Sequence, residues 1–423
     1  MGVPVVRRVV ITGIGAVSPN GMGRETFWDN TRKGVSGVDT ISLFDSSHLS
    51  ARIAGEVKNL DGDGFVKYKD RPHVSRVVPM ALAASDEALR DADLNVDSMA
   101  KEEKQQIGVM LGTGGGSVEF TEEMYRLYYT GQSKRVSVYT IPSSTIGTLA
   151  SEISMRFGLR GLSHVVSTGC TSSTDALGHA ALMIRSGMID RFLVGGADAP
   201  IAPLIMGAFC LMRILTSSWN HDPKRASRPF SQSRDGFVLG EGAWMFVLEE
   251  LQLARARGAR IYGEVAGYGS TCDAYHRVRM DESGEEPARA MSLALKEAHL
   301  TTREVDYINL HGTSTLLNDR IETRAVKLCF GDRASTLPGS SLKSMIGHPQ
   351  GACGAAGVAA SLLAMRDDVL PPTINLDDPD SECDLDYIPD VGRRKEINVA
   401  LCNCIAFGSK NSALVLKRVN GKN

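Results

Sequence analysis

Read end to end, the chain repeats one pattern twice, and this constrains its fold more than any single motif. Apolar strand-like runs alternate with helix-like segments throughout, as in an α/β fold. Strands are predicted over 8–12, 106–112, 164–167, 191–195, 243–249, 261–269, 307–310, 399–405 and 412–416. Helices are predicted over 76–92, 145–157, 175–186, 285–298, 320–330 and 351–366. Each half opens on basic residues and a strand ending in Gly-x-Gly, at Gly13-Ile-Gly15 and at Gly267-Tyr-Gly269. Each later carries a strand, a small-residue turn with a reactive side chain, and an Ala-rich helix. The first of these turns holds Cys170, and the second holds Lys343 and His348. A duplicated unit would bring the two turns together at a pseudo-twofold axis. No Pro/Ser-rich linker intervenes, so the boundary is placed in the charged segment 249–260, giving halves 1–255 and 256–423.

Composition removes several function classes. The net charge of −2 gives no global attraction to nucleic acid. The eight cysteines, at 170, 210, 272, 329, 353, 383, 402 and 404, form no Cys-x-x-Cys pair, and their wide spacing fits a reducing compartment rather than a disulfide scaffold. The longest low-charge apolar stretch, 351–365, is too short to span a bilayer, and the start carries no signal-peptide pattern. A soluble, cytoplasmic protein is expected. Gly13-Ile-Gly15 imitates a dinucleotide fingerprint but lacks the third glycine, so no nucleotide site is expected.

The chemistry concentrates in three turns. Cys170 follows Gly169 and heads a helix, whose unpaired N–H groups favour a thiolate. Alone, the stretch reads equally well as a buried cysteine packing as a small hydrophobe. His311 follows a strand and precedes Gly-Thr-Ser-Thr, at a strand end where open sheets build their sites. His311 or His348 alone reads as structural. Together with Cys170 they supply a nucleophile and two imidazole donors for an oxyanion or enolate. No short ligand pair anchors a metal, and none is expected.

These segments resemble the β-ketoacyl-carrier-protein synthases of the thiolase fold, over essentially the whole chain. The residues that carry the resemblance are the Cys170 turn, His311-Gly-Thr-Ser-Thr with Asp319 and Glu322, and Lys343-Ser-Met-Ile-Gly-His348. Arg228-Pro-Phe, the run from Arg234 to Gly242, Asp273-Ala-Tyr-His276 and Asn403…Phe407-Gly408…Asn411 add to them. Such a likeness implies two pseudo-duplicated α/β halves in a five-layer αβαβα arrangement. Within the family, Ser-Thr-Gly-Cys-Thr-Ser, Asp175 and Glu382-Cys-Asp-Leu-Asp-Tyr are most similar to the ketosynthase alpha subunit of type II polyketide synthases.

The resemblance implies decarboxylative condensation of malonyl-acyl carrier protein with a chain held on Cys170. Cys170 and Phe407 would supply oxyanion-hole N–H groups, and His311 and His348 would hold the malonyl thioester carbonyl. Lys343 and Glu322 would support them, with Thr313 and Thr315 binding the phosphopantetheine arm. Gly115 and Ile405 are assigned to the acyl tunnel, with Gly115 standing where a bulkier residue can close it. Lys67, Lys69, Arg71 and Arg76 form a basic run suited to an acidic carrier protein, and a solvated face is the plain alternative. The expected partners are the carrier protein and a homologous chain-length-factor subunit or a second copy, with no cofactor beyond the carrier's own arm, no nucleic acid and no membrane.

The alternatives are a homodimeric 3-oxoacyl-carrier-protein synthase of fatty-acid elongation, a non-catalytic chain-length-factor-like subunit, and a CoA-dependent thiolase using Cys404. Three departures from the family pattern stand out: Ala406 and Ser409 where the gating loop has glycine, Ile405 before it, and Arg277-Val-Arg279. Losing two glycines predicts a stiffer gate.

Overall fold

The computed structural model describes residues 7–60 and 64–419. Ten strands carry the architecture. The first half contributes β1 (Val9–Ser18), β2 (Ile107–Gly112), β3 (Ser163–Val166), β4 (Arg191–Asp198) and β5 (Gly242–Glu250). The second contributes β6 (Gly263–Cys272), β7 (Tyr307–Asn309), β8 (Gly339–Ser340), β9 (Val399–Ala406) and β10 (Lys410–Lys417). Across one continuous sheet they lie in the order β8-β7-β9-β10-β6-β1-β5-β4-β2-β3.

The duplication is visible in the pairing itself. From β1 outward the pairings run antiparallel, antiparallel, parallel, parallel, through β5, β4, β2 and β3. From β6 outward the same sequence of senses runs through β10, β9, β7 and β8. The halves meet where β1 pairs antiparallel with β6, Val10 against Glu264 and Ile11 against Gly263. Between β5 and β6 the charged segment forms a short helix, Leu251–Ala256, and a loop.

Helices α1 (Val77–Asp91), α2 (Val118–Tyr129), α3 (Thr148–Phe157) and α4 (Ser172–Arg185) belong to the first half. Helices α5 (Glu285–Glu297), α6 (Leu316–Phe330) and α7 (Cys353–Asp367) belong to the second. α1 covers β1 and β5, α5 covers β6 and β10, and α4 and α7 pack against each other and against strands of both halves. This is the five-layer α/β arrangement, with α4 and α7 as its middle layer. Their buried faces are Ala-rich: Ala176, Ala180 and Ala181 on α4, and Ala355, Ala356 and Ala359 on α7. A Cβ built on Gly354 would lie 2.0 Å from Thr174 Oγ1, so the two helices touch where each begins. Among the described residues, no helix is long and apolar enough to cross a membrane.

The Gly-x-Gly pairs do not end their strands. β1 runs on through both glycines to Ser18, and β6 runs on to Cys272. In both strands a register shift falls just before the first glycine, between Ile11 and Gly13 and between Val265 and Gly267. A Cβ on Gly13 or Gly15 would sit 2.1 Å from Ala88 O or 1.9 Å from Ala84 O of α1. On Gly267 or Gly269 it would sit 2.0 Å from Ala294 O or 2.2 Å from Ala290 O of α5. These glycines therefore let an outer helix press its backbone onto each sheet. α2 was not predicted. α6 starts four residues earlier than expected, at Leu316, where Thr315 Oγ1 accepts from the Asn318 N–H.

A backbone carbonyl cannot rotate out of the way as a side-chain tip can. Gly15→Ala and Gly269→Ala should therefore each cost about 1–3 kcal/mol, the usual range for overpacking. Urea unfolding should show similar losses in the two halves; a loss in one half alone would contradict the equivalence of the two contacts.

Candidate active site

The nucleophile turn joins β3 to α4. Gly169 supplies a φ of +73°, and Cys170 follows it, 5% exposed. The turn is pinned from inside the fold. Ser172 Oγ accepts from Thr168 N–H at 2.9 Å and lies 2.5 Å from the Gly169 carbonyl. Asp175, buried on α4, takes the Thr168 hydroxyl at 2.5 Å and the Tyr268 hydroxyl of β6 at 2.8 Å, and it also bonds Ser412 of β10. A first-half turn is thus fixed by a carboxylate that both second-half strands hold.

The two histidines come from the second half and converge on this turn. His348 Nε2 is 3.2 Å from Cys170 Sγ. The His311 ring stands edge-on to His348, centroids 5.3 Å apart. Lys343 Nζ lies 3.3 Å from His311 Nδ1 and donates to the His311 carbonyl at 2.5 Å. An ammonium offers donors alone, so His311 Nδ1 accepts and its proton sits on Nε2. Glu322 holds the backbone of the loop, accepting from His311 N–H at 2.6 Å, Gly312 N–H at 2.7 Å and Asn403 Nδ2 at 2.7 Å.

Burial decides the protonation states. It lowers His311 to about 3, with the Lys343 charge adding to the effect, and it lowers His348 as well. Both rings are therefore neutral imidazoles near neutral pH. Burial raises the Cys170 thiol and the adjacent Cys353 raises it further, against the pull of Lys343 and the Phe407 N–H. The thiolate expected from the helix N-terminus alone is outweighed, and Cys170 rests as a thiol beside a neutral base. Burial also lifts Glu322 to about 7, even with three N–H donors on its oxygens.

The remaining expected residues divide. Phe407 brings its N–H to Cys170 from the turn between β9 and β10. Thr313 and Thr315 stand side by side, Oγ1 atoms 2.9 Å apart, on the loop after His311. Gly115 lies on the loop after β2, its N–H 3.1 Å from Asp198 Oδ1. Ile405 does not face the nucleophile. Cys404 and Ala406 cluster with Cys170, and strand alternation turns Ile405 the other way, onto Met280 and Ile321. Of the basic run, Lys67 and Lys69 are exposed, and Arg71 stacks over the Tyr68 ring at 5.6 Å. Arg76 leaves the set, because it pairs with the fully buried Glu241 at 2.7 Å and donates to the Val57 carbonyl at 2.9 Å.

Asp198 was not singled out from sequence. From the end of β4 it accepts from Thr113 Oγ1 (2.7 Å), Gly114 N–H (2.7 Å), Gly115 N–H (3.1 Å) and Gly351 N–H (2.7 Å). It ties the Gly115 loop of the first half to the turn carrying His348 in the second. Burial lifts it to about 6. Its sequence signal is a lone carboxylate closing an apolar strand.

The family models decide what kind of enzyme this geometry belongs to. The model described as "Beta-ketoacyl synthase, N-terminal domain" matches residues 6–254, and "Beta-ketoacyl synthase, C-terminal domain" matches 262–377. The chain belongs to the beta-ketoacyl synthase family. It is therefore an acyltransferase that forms carbon–carbon bonds. A "3-oxoacyl-[acyl-carrier-protein] synthase 2" of Rhizobium meliloti is 42% identical over 98% of this chain and 100% of the relative. A "Putative polyketide beta-ketoacyl synthase 1" of Streptomyces halstedii is 43% identical over 97% and 98%. Among solved structures, a type II polyketide synthase acyl-carrier protein in complex with its ketosynthase aligns with a TM-score of 0.90 at 33% identity, covering 98% of this chain and 100% of that one. The ishigamide ketosynthase/chain length factor gives 0.91 at 32% identity over the same shares.

In this beta-ketoacyl synthase the turn after Phe407 is tied down. Ser409 sits at φ +62°, a region where glycine is at ease. It is held there because its hydroxyl donates to the His276 carbonyl at 2.9 Å and its own carbonyl accepts from Asp273 N–H at 2.8 Å. Gly408 N–H donates to the Arg277 carbonyl at 3.0 Å. Ser409 thus holds the residue just before the Arg277–Arg279 departure, and Gly408 holds Arg277 itself. Ser409→Gly should free both loops. Hydrogen exchange should quicken by at least several-fold at residues 407–409 and 276–278 with little change in global unfolding; unchanged exchange would show that the gate is not held here.

Proposed function

We propose that Cys170 accepts an acyl chain from an acyl carrier protein and that the bound chain is then extended by two carbons from malonyl-carrier protein. The reading rests on one observation above all, the 3.2 Å approach of His348 Nε2 to Cys170 Sγ with His311 alongside, both rings neutral. As the sulfur attacks the acyl thioester, His348 takes its proton and passes it to the departing phosphopantetheine thiol. The N–H groups of Cys170 and Phe407 receive the oxyanion. Malonyl-carrier protein then enters, its arm held at Thr313 and Thr315. His311, donating from Nε2, and His348, which takes up its Nε2–H tautomer once the acyl group has replaced the sulfur's proton, hold its thioester carbonyl while CO₂ departs. The carbanion attacks the Cys170 thioester, and the Cys170 sulfur leaves. Lys343 fixes the His311 tautomer and Glu322 fixes its backbone. The steps call on no metal or organic cofactor besides the carrier's own arm.

Two settings for this chemistry have support. Elongation of fatty acyl chains as a homodimer is favoured by the relatives named 3-oxoacyl-carrier-protein synthase 2. Extension of a polyketide beside a chain-length-factor subunit is favoured by the Streptomyces relative and by the two ketosynthase structures. In either setting a partner would pair along β3, the strand at the sheet edge, where Ser163 and His164 are exposed.

Intact-mass analysis of the purified chain, with and without a co-expressed homologue, tests the reading. Acyl-carrier protein should add one acyl group to the wild type and to Cys404→Ala, and none to Cys170→Ala. Acylation of the Cys170→Ala protein would overturn it. An active homodimer would select the fatty-acyl setting; activity confined to the co-expressed heterodimer would select the polyketide one.

Gly115 gives a second test. A Cβ there meets Val118 at 3.2 Å, so a larger side chain must push into the space beside the loop. Gly115→Ile should shorten the product distribution, read by mass, while Cys170 still becomes acylated. Unchanged product lengths would remove Gly115 from the tunnel.

A further inference from the structure

Two further buried thiols crowd the nucleophile, and the chemistry above uses neither. Cys353 opens α7, and Cys404 lies on β9. Their Sγ atoms are 3.5 Å apart, and they lie 3.3 Å and 3.1 Å from the Cys170 carbonyl oxygen. Cys404 Sγ is also 3.5 Å from His311 Nδ1. None of the eight cysteines is bridged. A disulfide measures about 2.05 Å, so the pair stands about 1.5 Å short of a bond, with no third atom needed between them.

We propose that Cys353 and Cys404 are a redox-active pair, closed by a hydroperoxide into a disulfide that lies beside the catalytic thiol and spares it. The order of events follows from access and charge. Cys353 is 6% exposed, about as much as Cys170 at 5%, whereas Cys404 is 1% exposed. Burial raises the Cys353 thiol, but Cys404, Lys343 and the two imidazoles outweigh it and hold Cys353 below the ordinary thiol range, while Cys404 is held above it. The Cys353 thiolate attacks the peroxide; a sulfur–oxygen bond forms, the oxygen–oxygen bond breaks, and hydroxide leaves. The sulfur is oxidised by two electrons and the peroxide reduced by two. Cys404 then attacks the sulfenic sulfur, the sulfur–sulfur bond forms, and water leaves with the Cys404 proton. Cys170 Sγ takes no part, because its hydrogen-bond partner is His348 Nε2.

A thiophilic metal ion is the competing occupant, since His311, Cys353 and Cys404 offer ligand atoms within 4.8 Å of one another. Lys343 decides against it. Its Nζ lies 3.3 Å from His311 Nδ1, so a cation already occupies the corner where the ring would bind an ion. The same charge favours a thiolate.

Closing the disulfide takes the Cys404 S–H away from the Cys170 carbonyl and a sulfur away from His311. Condensation should therefore fall several-fold and return on reduction. The decisive experiment does not depend on turnover. The full-length Cys170→Ala chain is treated with hydrogen peroxide, alkylated, and analysed by intact mass and peptide mapping. The expected result is the loss of two hydrogens, a cross-link between the Cys353 and Cys404 peptides, and reversal by dithiothreitol. Cys353→Ala and Cys404→Ala should each abolish the cross-link, and in the wild type Cys170 should remain alkylatable. A cross-link through Cys170 in the wild type, a sulfinic acid at Cys353 without a cross-link, or an unchanged mass would overturn the proposal. So would protein that copurifies with zinc and resists peroxide until chelated.

Discussion

Everything at the centre of this molecule depends on how closely α4 and α7 approach where each begins. A Cβ on Gly354 would lie 2.0 Å from Thr174 Oγ1, and one on Gly196 of β4 would meet Ser173 Cβ at 2.5 Å and Ala352 Cα at 2.9 Å. Two helices and a strand thus meet at a point where the Ser173 and Thr174 side chains leave no room for any on Gly196 or Gly354. The nucleophile turn leads into α4 and the His348 turn leads into α7. Their separation is consequently set by glycine backbone packed directly on the short side chains of Ser173 and Thr174, a contact with little room to give. The 3.2 Å between Cys170 and His348 follows from it, though the residues lie 178 positions apart.

A site built at such a point is dry, and its electrostatics follow from that. Three buried carboxylates sit around the reacting groups, and each is satisfied by the chain. Glu322 takes the His311 and Gly312 N–H groups, Asp198 takes three glycine N–H groups, and Asp175 takes hydroxyls from three elements. They act as fixed anchors for loops, in place of water. The same dryness keeps both imidazoles neutral and the Cys170 thiol protonated at rest. The protein therefore moves one proton between sulfur and nitrogen, and avoids holding a separated ion pair that the interior would penalise.

Much of this was legible in the chain because it is local. Cys170, His311 and His348 each follow a strand-like run and precede a helix or a hydroxyl-rich loop, and such a turn declares itself within a dozen residues. The duplication was legible as repeated order, and the pairing senses of the two half-sheets carry it further than sequence similarity could. Contacts set by distant segments were not legible. Gly13 and Gly15 read as a strand end, since nothing nearby announces the α1 backbone that lies on them. Arg76 read as part of a basic surface, while Glu241, 165 residues on, holds it inside. Asp198 gathers donors from loops about 85 residues before it and 153 residues after it. Ile405 differs in kind: period-two alternation on β9 puts it on the face opposite Cys404 and Ala406, and that much was available from the strand prediction alone.

The duplication raises a question that only asymmetry answers. Equivalent strand–turn–helix units end in equivalent helix N-termini, and each carries a thiol, Cys170 just before α4 and Cys353 as the first residue of α7. Both sit where a helix dipole favours sulfur anions, so the dipole cannot select the nucleophile. Selection comes from what the opposite half presents. Cys170 faces a neutral imidazole nitrogen at 3.2 Å and the N–H of Phe407, a base and an oxyanion donor together. Cys353 also meets the two imidazoles, but its other neighbours are a sulfur at 3.5 Å and the Cys170 carbonyl oxygen, and neither stabilises a tetrahedral oxyanion. An acyl group placed on Cys353 would meet no such support. The fold thus supplies two candidate thiols by symmetry, and the unequal turns around them leave one suited to carry a chain.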